Sequence, residues 1–323
     1  MMYENKSQIN RIVSHSLKSG NMVSDSVVSI QDNNKSWTFL PNSTPIQNVL
    51  FKPLFKIKKM VRRTLYTIKS ESTIMYWSAA IMLLFFVGCF VGLLIDDRTL
   101  MGVNVWIKPL KFSISIGVYL LTVGYLVTKY PYSRKKKNII NHITAWMLVV
   151  EMGIIALQAY RGVQSHYNTS TPFDAILFMA MGVLTGTVVL IMALFIIDTI
   201  RLKLKTGKAM QWAILLGWCV IFFGSWVGGQ MIAQLSHNIG VASGGAGLPL
   251  VNWSTIGGDL RIAHFFGLHG IQIIPFFGFW VSRKWKSSDR KQIIAVTLFA
   301  LAYALWIGFT FYQAKQGMAL IAQ

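Results

Sequence analysis

Thr73-Ile-Met-Tyr-Trp-Ser-Ala-Ala-Ile-Met-Leu-Leu-Phe-Phe-Val-Gly-Cys-Phe-Val-Gly-Leu-Leu-Ile95 carries no charged side chain over 23 residues. Coiled as an α-helix at about 1.5 Å per residue, it is long enough to cross a hydrocarbon core about 30 Å thick. Six more apolar runs of comparable length follow, at 106–127, 139–160, 173–200, 209–233, 262–281 and 293–312. The sequence therefore predicts an all-α polytopic membrane helix bundle with seven transmembrane helices. Composition agrees: of 323 residues, 54% are hydrophobic and 13% charged, and mean hydropathy is +0.50. That balance excludes an ordinary soluble globule.

A net charge of +20 would point to nucleic acid in a soluble chain, so its distribution matters more than its size. Lys and Arg number 11 before the first run, 5 in 129–138, 4 in 201–208 and 5 in 283–291, which is 25 of the 31. These are alternate connections, so they share one side of the bilayer. The positive-inside rule makes that side cytoplasmic, with the N-terminus inside and the C-terminus outside. Charge in short loops beside a membrane is not a folded basic domain, and no nucleic-acid partner is expected. Cys89 and Cys219 fall in different apolar runs and read as small buried hydrophobes, not as a disulfide or metal pair.

Four segments follow. Residues 1–50, rich in Ser, Asn and Gln without a sustained apolar period, read as a disordered cytoplasmic tail. Residues 51–72 form a basic interfacial segment in which large apolar and basic residues alternate, and 51–69 can lie on anionic lipid headgroups. A plain topological anchor explains the same residues equally well. Residues 73–314 are the transmembrane domain in the lipid bilayer, and 315–323 an external C-terminal tail. A cytoplasmic (inner) membrane is the expected location, and the sequence leaves oligomeric state open.

Ionisable residues inside the apolar runs mark the candidate site, because each costs roughly a few kcal/mol there unless it has a partner or a task. The second run opens with Trp106-Ile-Lys-Pro-Leu-Lys-Phe. Pro109 suits a first helical turn and Trp106 an interface. Lys108 reads as a snorkelling side chain, whereas Lys111, one turn deeper, is divided between snorkelling and a site. The third run places Glu151 near mid-membrane, with Gln158 and Arg161 on the same stripe facing protein. The connection after it supplies His166 and Asn168. Gly182 with Gly186, and Gly224 with Gly228, are small-xxx-small pairs that allow helices to approach closely.

The most polar stretch near a membrane run is Gly247-Leu-Pro-Leu-Val-Asn-Trp-Ser-Thr-Ile-Gly-Gly-Asp-Leu-Arg-Ile-Ala-His-Phe-Phe-Gly-Leu-His-Gly-Ile-Gln272. It ends a 28-residue connection, 234–261, that is rich in Gly and Trp and reads as folded. At about 100° per residue with His264 as zero, Arg261 falls near 60°, Gln272 near 80° and His269 near 140°. These four share one arc facing the bundle interior. By topology, Lys108, Lys111, Glu151, Gln158, Arg161, His166, Asn168, Asp259, Arg261, His264, His269 and Gln272 belong to one outward-facing polar site.

At Trp106-Ile-Lys-Pro-Leu-Lys-Phe, at Arg161-Gly-Val-Gln-Ser-His-Tyr-Asn and at the 247–272 stretch, the chain resembles a family of uncharacterised bacterial multi-pass membrane proteins. The likeness covers about the first six runs. It implies a bacterial multi-spanning protein and carries over no activity or cofactor. The tail before Thr73 is an addition to the family pattern, and Ser243-Gly-Gly-Ala stands where that pattern has an acidic residue and a proline.

Three readings of function stay open. The preferred one is transport of a small solute or of protons, through a cationic vestibule of Lys108, Lys111, Arg161 and Arg261 and a relay from Glu151 to His269. The second is a membrane-embedded metal- or haem-dependent enzyme, with His166, His237 and His264 as metal ligands. His264 and His269 themselves are five residues apart and cannot chelate one ion from a straight helix. The third is a structural or receptor-like bundle held by its buried ion pairs. The sequence decides neither whether the chain is an enzyme nor which cofactor it uses.

Overall fold

The computed structural model describes residues 28–32, 35–39 and 45–322. The chain divides into two compact units, one up to Arg62 and one from Arg63 onward.

In the first unit, β1 (Val28–Asp32) pairs antiparallel with β2 (Lys35–Phe39), with Val28 opposite Phe39 and Ile30 opposite Trp37. Most of the tail expected at 1–50 lies outside the described residues. The described part of that segment includes this hairpin. Its alternation of apolar positions is only five residues per strand, too short to register as a sustained period. Helix α1 (Pro45–Glu71) starts before the interfacial segment expected from residue 51 and runs close to its end.

The second unit is an all-α polytopic bundle. Seven helices are long and apolar enough to cross a membrane: α2 (Thr73–Ile95), α3 (Ile107–Val127), α4 (Arg134–Tyr160), α5 (Pro172–Arg201), α6 (Lys208–Ala233), α7 (Leu260–Lys284) and α8 (Asp289–Lys315). All seven expected runs are present, most of them lengthened by a few polar residues. Capping explains several ends: the Ser133 hydroxyl accepts from the Lys136 amide, Thr171 from the Asp174 amide, and the Asp259 carboxylate from the Arg261 amide. Pro172 sits in the first turn of α5, where its missing N–H leaves nothing unpaired.

The basic connections meet at one end of the bundle, where the Lys205 amide donates to the Lys129 carbonyl at 2.7 Å. At the opposite end Arg98 donates to the Tyr160 carbonyl at 3.0 Å. Between α2 and α3, the two-stranded turn β3 (Thr99–Leu100) and β4 (Val103–Asn104) is closed by Met101 and Gly102, both with positive φ. That is the geometry of a type I′ hairpin, and Gly102 there meets Gly244 of the long connection.

Two apolar cores hold the helices. One gathers Met75, Met82, Leu120, Met152, Phe195 and Trp218 from α2 to α6, and the other Val227, Ala263, Ile274 and Ile307 from α6 to α8. Helix α6 serves both and packs most extensively on α7. The reason is a pair of facing glycines: a Cβ on Gly224 would lie 2.6 Å from the Gly267 carbonyl carbon, so only two glycines let the backbones come this close. Gly228 likewise leaves the slot that the His264 ring fills, 2.8 Å from where its Cβ would be. The other pair behaves differently. A Cβ on Gly182 or Gly186 would meet nothing within 4 Å, so those glycines are exposed on α5 and join no helix within the chain.

The long connection is folded, as its composition suggested. Strand β5 (Asn238–Ile239) pairs with β6 (Gly258–Asp259) and closes its base, and Gly247 bridges to Ser254 within it. Gly258 lies against the Ala314 carbonyl at the end of α8. The described part of the expected C-terminal tail does not trail away: it turns at Gly317, and the Gln313 amide donates to the Met318 carbonyl.

Candidate functional site

The end of the bundle opposite the basic connections holds a cluster built from α3, the α4–α5 connection, the 234–259 connection and the start of α7. Lys108 and Lys111 lie one turn apart on α3 and both turn into protein. Lys108 Nζ is 3.4 Å from His166 Nδ1 and 5.9 Å from the Phe112 ring centre. Lys111 Nζ donates to the Val251 carbonyl at 3.1 Å. Neither snorkels, which corrects the expectation for Lys108. Among the described residues neither forms an ion pair with a carboxylate.

His166 is wedged between Phe112 and Tyr167, with ring centres 5.8 and 6.0 Å away, and its Nδ1 is also 3.1 Å from the Ser165 hydroxyl. An ammonium only donates, so Nδ1 accepts from Lys108 and the ring proton belongs on Nε2. Burial first, and then the Lys108 charge, hold the His166 pKa well below the ordinary value. His237, at the entry of the long connection, is pushed down to about 4, chiefly by burial and then by the Arg261 charge. Both rings are neutral at pH 7. Burial raises the Tyr167 phenol to about 12, so it remains a hydroxyl.

Asp259 and Arg261 pair tightly at the start of α7. Arg261 Nε and Nη2 donate to the Asp259 carboxylate at 2.9 and 2.6 Å, and the Asp259 side chain is fully buried. The same carboxylate accepts from the Ser254 amide at 2.9 Å, and Arg261 donates to the Asn252 carbonyl. The pair thus staples the tip of the long connection over α7. Arg261 lies within electrostatic range of Lys108, Lys111, Tyr167 and His237.

His264 Nδ1 is 2.8 Å from the Gly224 carbonyl. A carbonyl only accepts, so Nδ1 carries the proton and Nε2 the lone pair. Glu151 is buried on α4, accepts from the Thr185 hydroxyl at 3.1 Å, and lies within electrostatic range of Lys108.

The remaining expected residues go elsewhere. Gln158 donates to Asp174 at 2.8 Å, and Arg161 bonds both Gln158 and Asp174. Asp174, whose side chain is 2% exposed, also accepts from the Thr171 hydroxyl at 2.6 Å. This clasp joins α4 to α5, and Arg161 is no free vestibule cation. Asn168 is spent on its own turn, accepting from Ser170 and donating to the Gln164 carbonyl. His269 lies edge-on to Phe265 at 4.5 Å and beside Gln272. No hydrogen bond or ion pair joins His269 to Glu151 among the described residues.

Among the described residues no group of three or more His, Cys, Asp or Glu is placed to hold a metal ion. His166, His237 and His264 surround the same region without forming such a group.

Ser165, which continues the polar stripe of Gln158 and Arg161, joins the site, and residues the sequence did not single out complete it: Tyr167, Phe112 and the Val251 carbonyl. Three of its backbone positions, Tyr167, Leu250 and Asn252, have positive φ of 61°, 65° and 54°. Non-glycine residues rarely adopt that conformation, and it concentrates where function imposes it. Tyr167 could have been found by its place in Arg161-Gly-Val-Gln-Ser-His-Tyr-Asn, whereas a main-chain carbonyl leaves no signal in sequence.

No family model, curated protein or solved structure matches the chain.

Proposed function

We propose that the chain is a carrier for a small anionic solute, which it binds at the outward end of the bundle. The carrying observation is the pair Lys108 and Lys111, two ammonium groups turned into a membrane bundle without a carboxylate ion-pair partner among the described residues. Asp259 is saturated by Arg261 and Ser254, and Glu151 is bonded to Thr185. With His166 and His237 neutral, the nearby charges are Lys108, Lys111, Arg261, Asp259 and Glu151, an excess of one positive charge when all are ionised. An anion seated between the lysines balances that excess and replaces the weak contacts to His166 and to the Val251 carbonyl with charge-assisted hydrogen bonds.

Orientation belongs to the same proposal. Clustering of basic connections at one end supports a cytoplasmic N-terminus, and the resemblance of the three motifs supports a bacterial inner membrane. The site then opens to the outside.

The test is thermal denaturation of the purified protein against phosphate, sulfate, acetate and bicarbonate, followed by uptake of the stabilising anion into proteoliposomes. A ligand at about 100 times its dissociation constant stabilises by about 2.7 kcal/mol. At least one anion should raise the midpoint and accumulate, and Lys111→Met should abolish both effects. Stabilisation that persists in Lys111→Met, or none from any anion, rejects the reading.

A further inference from the structure

At the basic end of the bundle, away from the site described above, a cavity of about 510 Å³ opens between the end of α1, the start of α2 and the first turns of α4. Its polar lining includes Ser70, Glu71, Arg134, Lys137, Asn138 and Asn141. Four successive cations, Arg134 to Lys137, occupy the first turn of α4. A helix N-terminus already carries positive potential from its unpaired amides, so cations there add to the field instead of offsetting it. Only two are paired: Lys136 with Asp198 at 2.6 Å and Lys137 with Glu71 at 2.9 Å. Arg134 and Lys135 make no ion pair among the described residues.

A second observation comes from the cavity wall. Asn141 is 1% exposed, lines the cavity, and its Oδ1 has no hydrogen-bond partner among the described residues. A buried amide without a partner is costly unless something else supplies the bond. The height of the cavity is also telling. It sits where α1 gives way to the first span, the stretch of chain that also carries Trp77, which is exposed, and Lys69, whose ammonium lies over the Tyr76 and Trp77 rings at 5.8 and 5.7 Å. Aromatic residues with a basic neighbour mark the headgroup level of a bilayer.

We propose that this cavity binds the phosphate of a phospholipid headgroup, held by Arg134 and the amino end of α4, with the polar remainder of the headgroup reaching the Asn141 amide. The acyl chains lie along the exposed apolar face of α2, where Leu83, Leu84 and Val87 face outward. Glu71 does not oppose the phosphate, because Lys137 neutralises it.

The test uses full-length protein in a mild detergent, titrated with phosphatidylglycerol in mixed micelles while the thermal midpoint is followed. Phosphatidylglycerol should raise the midpoint of the wild type. Arg134→Gln, an exposed substitution that leaves the fold intact, should weaken the apparent affinity on the order of tenfold, since it removes one charged hydrogen-bond donor. Asn141→Leu, which removes the amide from the cavity wall, should weaken it as well. Lys286→Gln, at the same end of the bundle but outside the cavity, should leave it unchanged. Equal weakening by Lys286→Gln and Arg134→Gln, or none by Arg134→Gln, overturns the site. Equal stabilisation by inorganic phosphate alone overturns the lipid assignment in favour of a free anion.

Discussion

The Lys111 ammonium donates to the Val251 carbonyl at 3.1 Å, across 140 residues of sequence and between two backbone outliers, Leu250 and Asn252. One hydrogen bond thereby ties the candidate anion site to the connection that covers it. Lys111→Met keeps the length of the stem and removes the charge, so the fold should survive while anion-dependent stabilisation disappears. Lys111→Arg should retain it in part. Both outcomes are read from thermal midpoints with and without the stabilising anion.

The α4–α5 clasp makes a different demand. Asp174 accepts from Gln158, Thr171 and Arg161, so Asp174→Ala strands two donors and a guanidinium at once. Removing one member of a buried pair costs more than the pair was worth. The thermal midpoint should fall by several degrees in Asp174→Ala, without any change in relative anion affinity. A loss of affinity at unchanged stability would instead return Arg161 to the site.

Glycines on two helices should respond in opposite senses. Gly224→Ala forces a Cβ into the Gly267 backbone and should destabilise by about 1–3 kcal/mol, as overpacking does. Gly182→Ala meets open space and should be neutral or stabilising by up to about 1 kcal/mol, because alanine favours the helix over glycine. Reversible denaturation in mixed micelles measures both.

Acid should loosen the end of the bundle opposite the basic connections. The His166 and His237 pKa values are depressed in the folded chain, so at low pH the unfolded chain binds protons that the folded chain refuses. Stability is therefore full above about pH 6.5, the ordinary histidine value. The part that depends on His237 is lost as pH falls from there to about 4. The midpoint should drop between pH 7 and pH 5, and His237→Gln should flatten that slope. An unchanged slope in the variant would place the acid sensitivity elsewhere.

How much of this was legible in sequence depended on the range of the signal. Apolar length alone located all seven spans, because a run of that length has one reading in lipid. Periodicity set Arg261, His264, His269 and Gln272 on one arc of α7, but the stripe that α7 buries most deeply runs through Leu260, Ala263, Gly267, Gly270, Ile271 and Ile274. Partners were beyond it. The wheel set Arg161 and Gln158 facing protein but could not show Asp174, on the next helix, waiting for them. It made Lys108 a snorkelling residue, because His166 arrives 58 residues later. Likewise Gly182 and Gly186 share their spacing with Gly224 and Gly228, and only the neighbour present at one pair distinguishes them.

The crossing of α6 and α7 carries one more meaning. The Gly224 carbonyl stands at the closest approach of the two backbones and also receives the His264 Nδ1 proton. Sliding the two helices apart would cut that bond and leave Nδ1–H without its acceptor, freeing the ring to exchange its proton between nitrogens. At this point of the bundle, mechanical displacement and the choice of tautomer are a single degree of freedom.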